Sequence, residues 1–145
     1  MSEKIQIEKA LCFNLYSASR LMTQVYRPYL QKFDLTYPQF LVMTVLWSKD
    51  KYRVKELGSR LYLDSGTLTP LLKRLEKMYL VTRDRSSSDE REVFVNLTRK
   101  GKSLEKKCRD IPFEMFCKLN VSEGRFHEIL SGVTEILENL KNNLH

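Results

Sequence analysis

Three cysteines come first, because a thiolate is a strong nucleophile and a natural target for oxidants. Cys12, Cys108 and Cys117 form no C-x-x-C pair, and with only two histidines they give no zinc-site spacing. The sequence therefore implies neither metal nor cofactor. Cys12 stands between Leu11 and Phe13, and a free cysteine in such company ordinarily packs as a small hydrophobe. It becomes reactive only where its charged form is stabilised. Tyr16 lies one helical turn along, and Tyr26 and Tyr37 lie in segments that a dimer could bring close. Phenolic hydroxyls can donate hydrogen bonds to a thiolate. Lys9 is the sole cation within a turn of Cys12, so activation would come mostly from hydrogen bonding. For Cys117 the simple reading is burial in a helix. Cys108, among Lys106, Lys107 and Arg109, reads as lying on an exposed face.

A second chemistry is written between Leu61 and Glu76. Pro70 has no N–H to give an interior helical position, so the sequence predicts a helix capped by Thr67, with Leu68, Thr69 and Pro70 in its first turn. Leu68, Leu71, Leu72 and Leu75 recur at helical spacing and would face a core. Ser65, Thr67, Thr69, Lys73 and Arg74 remain for the other face. Hydroxyls at a helix N-terminus with cations behind suit the DNA major groove, where hydroxyls meet base edges and cations meet phosphates. Alone, this is also what a solvated surface helix looks like.

The flanking elements decide between these. Upstream, Val54 to Leu61 reads as a short helix followed by a tight turn, a helix-turn-helix arrangement. Downstream, Tyr79 to Arg83 reads as a strand, Asp84 to Glu90 as a polar tip and Arg91 to Leu97 as a returning strand. A two-stranded ribbon after such a helix is a wing. Thr36 and Gln39 fit a capping box that opens a nearly all-round apolar helix through Trp47. Ile5 to Tyr26 reads as a long helix with a wide apolar stripe, ended or bent at Pro28. Thr98 would cap a helix that is perturbed near Pro112 and continues past Cys117, and Ser122 would cap the last one. The first and last helices carry more apolar surface than a monomer of this size can cover, which points to a two-fold dimer.

The totals agree with one α-rich chain. The 145 residues include only five glycines and four prolines, and 42% are apolar. The formal net charge of +7 favours a polyanionic partner. No run approaches a membrane span and no leader pattern opens the chain, so a cytoplasmic protein with no membrane partner is expected.

The run Leu-Asp-Ser-Gly-Thr-Leu-Thr-Pro-Leu-Leu-Lys-Arg-Leu-Glu, followed by Asp89-Glu90-Arg91 and Asn96-Leu97-Thr98, resembles the MarR family of winged-helix transcription regulators. Leu11-Cys12-Phe13 and Leu35-Thr36-Tyr37-Pro38-Gln39-Phe40 extend the likeness to the OhrR-, MgrA- and SarZ-type thiol-based redox branch. The resemblance covers roughly residues 8 to 105 by motif, and the C-terminal helices by pattern. It implies a mainly α fold with a small β-wing: a single domain, with 36–97 as the winged helix-turn-helix and 1–35 and 98–145 as dimerisation helices. It implies a homodimer on a pseudo-palindromic double-stranded DNA operator, acting as a repressor. Cys12 would be the residue oxidised by organic hydroperoxide, held across the dimer interface by Tyr26 and Tyr37. Cys117 would match the resolving cysteine of two-cysteine relatives, whereas one-cysteine relatives use a low-molecular-weight thiol. The wing tip would reach the minor groove through Arg91, with Arg85 second and Asp89 orienting Arg91. Two other readings stand beside this: control by a small phenolic or aromatic ligand, and a thiol peroxidase. The peroxidase is disfavoured because no βαβ pattern or positioned histidine accompanies Cys12.

Overall fold

A computed structural model describes residues 4–144 of the chain. The chain divides into two compact units, one running to Arg109 and one from Asp110 onward.

The first unit opens with a 3₁₀ turn, Ile7–Lys9, and Ala10 is extended before α1 (Leu11–Gln31) begins. The expected continuous helix from Ile5 is thus broken, and Cys12 falls in the first turn of α1. Asn14 fastens the junction, donating from Nδ2 to the carbonyls of Glu8 and Ala10, both at 2.9 Å. Pro28 does not end the helix. It removes one backbone donor, yet the last turn holds because Leu30 is buried and the Leu35 N–H closes back on the Leu30 carbonyl at 3.2 Å.

The capping box forms as read from the sequence. Thr36 N–H donates to Gln39 Oε1 at 2.9 Å, Gln39 N–H donates to Thr36 Oγ1 at 3.4 Å, and α2 (Tyr37–Ser48) follows. Val42, Met43 and Leu46 of α2 are fully buried. After α2 the chain forms β1 (Lys51–Arg53), α3 (Val54–Leu61), α4 (Ser65–Lys77), β2 (Val81–Arg85), β3 (Val93–Leu97) and α5 (Arg99–Cys108). The sheet is antiparallel in the order β1-β3-β2, so the wing has three strands where the sequence predicted two. Three residues are too few to show a period. β1 exists because its partner β3 offers an edge, with Tyr52 opposite Val95.

Two glycines bear on the packing of the first unit. A Cβ on Gly58 of α3 would lie 2.7 Å from the Leu63 carbonyl oxygen, so the tight turn between α3 and α4 needs a bare backbone there. A Cβ on Gly101 of α5 would fall onto the Leu80 carbonyl oxygen. Thr98 seals the same place: its N–H donates to Leu80 O at 3.1 Å and its hydroxyl accepts from Gly101 N–H at 3.0 Å. Trp47 of α2 donates from Nε1 to the Gly101 carbonyl at 2.9 Å.

The second unit holds α6 (Ile111–Lys118) and α7 (Glu123–Asn143). Pro112 sits in the first turn of α6, so it opens a new helix instead of perturbing a continuous one. Ser122 Oγ accepts from Arg125 N–H at 3.2 Å, and Phe116 meets Phe126 edge-on at 5.0 Å, which pins α6 to α7. None of the residues of α7 is buried. Ile129, Leu130, Val133, Leu137 and Leu140 lie open along it, as Leu11, Phe13, Tyr16, Leu21, Met22 and Val25 do along α1.

Replacing Gly101 by alanine is expected to lower unfolding free energy by about 1–3 kcal/mol, because α5 must move off Leu80. Gly124→Ala, where an added Cβ meets nothing within 4 Å, should instead be neutral or stabilising by up to about 1 kcal/mol. Urea midpoints at constant m-value compare the two.

Candidate nucleic-acid interface and thiol site

The recognition helix starts three residues earlier than the sequence predicted. Asp64, not Thr67, is the N-cap: its Oδ1 accepts Thr67 N–H at 2.8 Å, and its backbone carbonyl takes the Leu68 N–H at 3.0 Å. The backbone N–H and hydroxyl of Thr67 together hold the exposed Asp64 carboxyl below its usual range. Pro70 is therefore interior to α4. An interior proline costs about 3 kcal/mol, and burial of Leu68, Leu72 and Leu75 at 1%, 1% and 0% exposure offsets it. The Asp-x-x-Thr spacing was the available signal for this cap, and the proline rule hid it.

α4 still presents the expected outer face. Ser65, Thr67, Lys73 and Arg74 are exposed opposite the buried leucines, and Thr69 is half-buried at the edge. The earlier start places Ser65 and Thr67 inside the first turn of α4.

The sheet is braced against this helix. Arg83 of β2 donates to Glu76 Oε2 of α4 from Nε at 3.0 Å and Nη2 at 2.8 Å. Arg83 is thus occupied as a strut. Asp84 accepts from Asn96 across the hairpin at 2.8 Å. At the tip, Ser86 N–H donates to Glu92 O at 2.8 Å and Glu92 N–H to Asp89 O at 3.0 Å. Asp89 Oδ1 accepts the backbone N–H of Arg91 at 3.0 Å. Asp89 thereby fixes the main chain that carries Arg91, and does so through the backbone, not through the guanidinium. Arg85 and Arg91 are both exposed.

The thiol residues fall into separate places. Cys12 and Cys117 are exposed, and Cys108 is buried. The exposed position expected for Cys108 is corrected: its side chain lies on the inner stripe of α5 with Leu104, and burial pushes the thiol up to about 11 despite nearby Lys107. Tyr26 and Tyr37 come together with ring centroids 4.6 Å apart, and Tyr26 also lies 5.9 Å from Phe40. Burial raises both phenols, and for Tyr26 the neighbouring Tyr37 adds to it. Both therefore remain protonated donors well into alkaline conditions. Tyr16 does not join them. It is 63% exposed on α1, with the Arg20 guanidinium 5.4 Å from its ring centroid.

No group of three or more potential metal-ligating side chains occurs among the described residues. No helix among them is long and apolar enough to cross a membrane.

The family described as transcriptional regulator SarA/Rot matches residues 24–108, more than half of the chain. The organic hydroperoxide resistance transcriptional regulator of Bacillus subtilis is 44% identical over 138 residues, covering 95% of this chain and 94% of that protein. The HTH-type transcriptional regulator SarZ of Staphylococcus aureus is 38% identical over 131 residues, covering 90% and 88%. Among solved structures, reduced AbfR bound to DNA superposes with a TM-score of 0.80 at 32% identity, covering 93% of this chain and 92% of that one. The disulfide-formed structure of AbfR, from Staphylococcus epidermidis, gives a TM-score of 0.64 at 35% identity over 88% and 89%. With a three-stranded wing behind an N-capped recognition helix, and relatives that span nearly its whole length, the chain belongs to the SarA/Rot family of transcriptional regulators, on the MarR-like winged-helix fold.

Proposed function

We propose that this regulator binds an operator as a homodimer and releases it when Cys12 is oxidised by an organic hydroperoxide. One observation carries the reading. Cys12 is exposed at the start of α1, whereas Tyr26 lies in its C-terminal half, paired with Tyr37 of α2. Cys12 and Tyr26 are fourteen residues apart, about 21 Å along a helix, so no chain can bring its own sulfur to its own phenols. A second copy with its α1 running antiparallel can do so twice. The open apolar faces of α1 and α7 supply the surface for that pairing. The division proposed from the sequence takes 36–97 as DNA-reading part and 1–35 and 98–145 as dimer-forming helices; the open faces of α1 and α7 fit it, whereas α5 packs with the DNA-reading part through Gly101 and Trp47.

In this arrangement the partner's Tyr26 and the partner's Tyr37 donate hydrogen bonds to the Cys12 thiolate. First-turn backbone N–H groups of α1, which lack intrahelical acceptors, lie on the side toward which a first-turn side chain leans. The thiolate attacks the terminal oxygen of the hydroperoxide. The O–O bond breaks, the alcohol leaves with a proton, and Cys12 becomes a sulfenic acid. A second thiolate then attacks that sulfur and releases water, leaving a disulfide. Cys117 of the partner subunit is the proposed attacker, and a low-molecular-weight thiol is the alternative. Cys108 is excluded from this role by its burial.

Ser65, Thr67 and Thr69 read base edges, Lys73 and Arg74 hold phosphates, and Arg91 with Arg85 enters the minor groove. Binding of this kind represses by occupying the operator, and the site of action is the cytoplasm. The named relatives are regulators, so a thiol peroxidase finds no support. Control by a small phenolic or aromatic ligand is the second reading.

Gel shifts on the DNA upstream of the protein's own gene test the switch. Reduced protein should bind, and organic hydroperoxide should weaken binding at least about tenfold, or 1.4 kcal/mol. Cys12→Ser should bind and not respond; release by hydroperoxide in that variant would overturn the sensing role. Mass spectrometry should place the new bond on Cys12 and leave Cys108 a thiol. If Cys117→Ser still forms a protein disulfide, Cys117 is not the resolving residue.

Salt dependence tests the DNA assignment. Lys73→Ala or Arg74→Ala should reduce the slope of log K against log salt by about one. Thr67→Ala should alter base preference with the slope unchanged.

A further inference from the structure

The positive charge of this chain is not concentrated where DNA is read. Residues 99–109 carry six lysines and arginines against one glutamate, five of the seven net charges. By the same count α4 nets +2, and residues 81–97 net −1. The excess therefore lies on α5.

Part of it lines a depression of about 410 Å³ within the first unit, at the C-terminal end of α4 and the base of the hairpin. Lys77, Lys100 and Lys107 line it, together with Phe33, Tyr79 and Asp34. Lys100 is committed locally, since its Nζ donates to the Met78 carbonyl at 2.9 Å. Lys77 and Lys107 are exposed and have no ion-pair partner among the described residues. Tyr79, the residue after the Met78 C-cap of α4, is held at φ 59° and is 75% exposed. An open aromatic ring thus stands among three lysines that outnumber the single carboxylate of the lining, Asp34.

We propose that this depression docks an acidic, aromatic- or leucine-containing segment of another protein. Charge complementarity selects the acidic partner, with its carboxylates on Lys77 and Lys107 and an apolar side chain against Tyr79 and Phe33. Operator DNA is the poorer occupant on position. Lys77 lies twelve residues beyond Ser65, about 18 Å up the helix from the end that enters the groove. The depression also sits at the opposite end of the hairpin from the tip that carries Asp89 and Arg91. The inference does not depend on Cys12 chemistry.

The test uses the full-length reduced protein and a fluorescein-labelled peptide of aspartates and glutamates around one phenylalanine and one leucine, read by anisotropy. Its control peptide carries asparagine and glutamine in place of every acid. The acidic peptide should bind saturably, and the control should not. Lys77→Glu with Lys107→Glu should weaken peptide binding about tenfold or more, with operator affinity and its salt slope unchanged. Lys118→Glu should leave peptide binding as it was. The proposal is overturned by absent or acid-independent peptide binding, or by equal binding to the double variant. A parallel loss of operator affinity would also overturn it, by making the lysines phosphate contacts. So would a changed sedimentation coefficient in the double variant, by making the occupant a second copy of this chain. Circular dichroism of the double variant confirms that a loss of binding is not a loss of fold.

Discussion

The carbonyl of Leu80 is the point on which the winged helix-turn-helix hangs. It ends the turn that follows α4, it begins β2, and it accepts from the Thr98 backbone and hydroxyl that begin α5. Gly101 passes so close that only hydrogen fits, and the Gly101 carbonyl in turn receives the Trp47 indole from α2. One buried acceptor and its neighbours therefore fix α2, α4, the hairpin and α5 against one another. The Arg83–Glu76 pair adds a second tie between hairpin and α4. It is partly exposed, and such pairs are each worth less than about 1 kcal/mol. The carbonyl cluster is the stiffer of the two, because an unsatisfied buried acceptor would cost about 1–3 kcal/mol.

Much of this was legible in the sequence, and the misses have physical causes. The Thr36–Gln39 box, the Val54–Leu61 helix and the leucine stripe of α4 were readable because each is a local pattern whose partners lie within four residues. The three-residue β1 was not, because its hydrogen bonds come from residues more than forty positions away. The cap placed at Thr67 because of Pro70, and the helix end allowed at Pro28, both failed for one reason. A propensity rule estimates what a proline costs, and says nothing of buried Leu30 or Leu68 that outweighs it. Cys108 was misplaced because its charged sequence neighbours point outward while the helical period turns the sulfur inward. At the candidate site, Tyr26 and Tyr37 could be named in advance, but their 4.6 Å contact is tertiary.

That contact would also let a change at Tyr26 and Tyr37 be felt in the elements around α4. From Tyr37 and Tyr26 the rings continue to Phe40, and from Phe40 to Trp47 at 6.1 Å. Trp47 donates to Gly101, which rests on Leu80 at the root of β2. Packed interiors pass displacement on because they have no slack to absorb it. If the tyrosines hold a partner's thiolate, taking away that acceptor alters one end of an unbroken run that ends where α4 is anchored.

Such a run supplies a path, and the free energy must come from elsewhere. A ligand or a covalent change shifts an equilibrium only by its differential interaction with the two states. In a dimer whose two recognition helices must meet successive turns of one duplex about 34 Å apart, the two states are the spacing that fits and the spacing that does not. Phosphate contacts made by both halves are lost together when the spacing fails, so a small rotation at the apolar helices is multiplied at the DNA. Under the proposed mechanism the switch would lie in the surface that a single chain leaves open. On the proposed dimer, the apolar residues left exposed on α1 and α7 are the surface a second copy would complete, and stability and signalling would then share it.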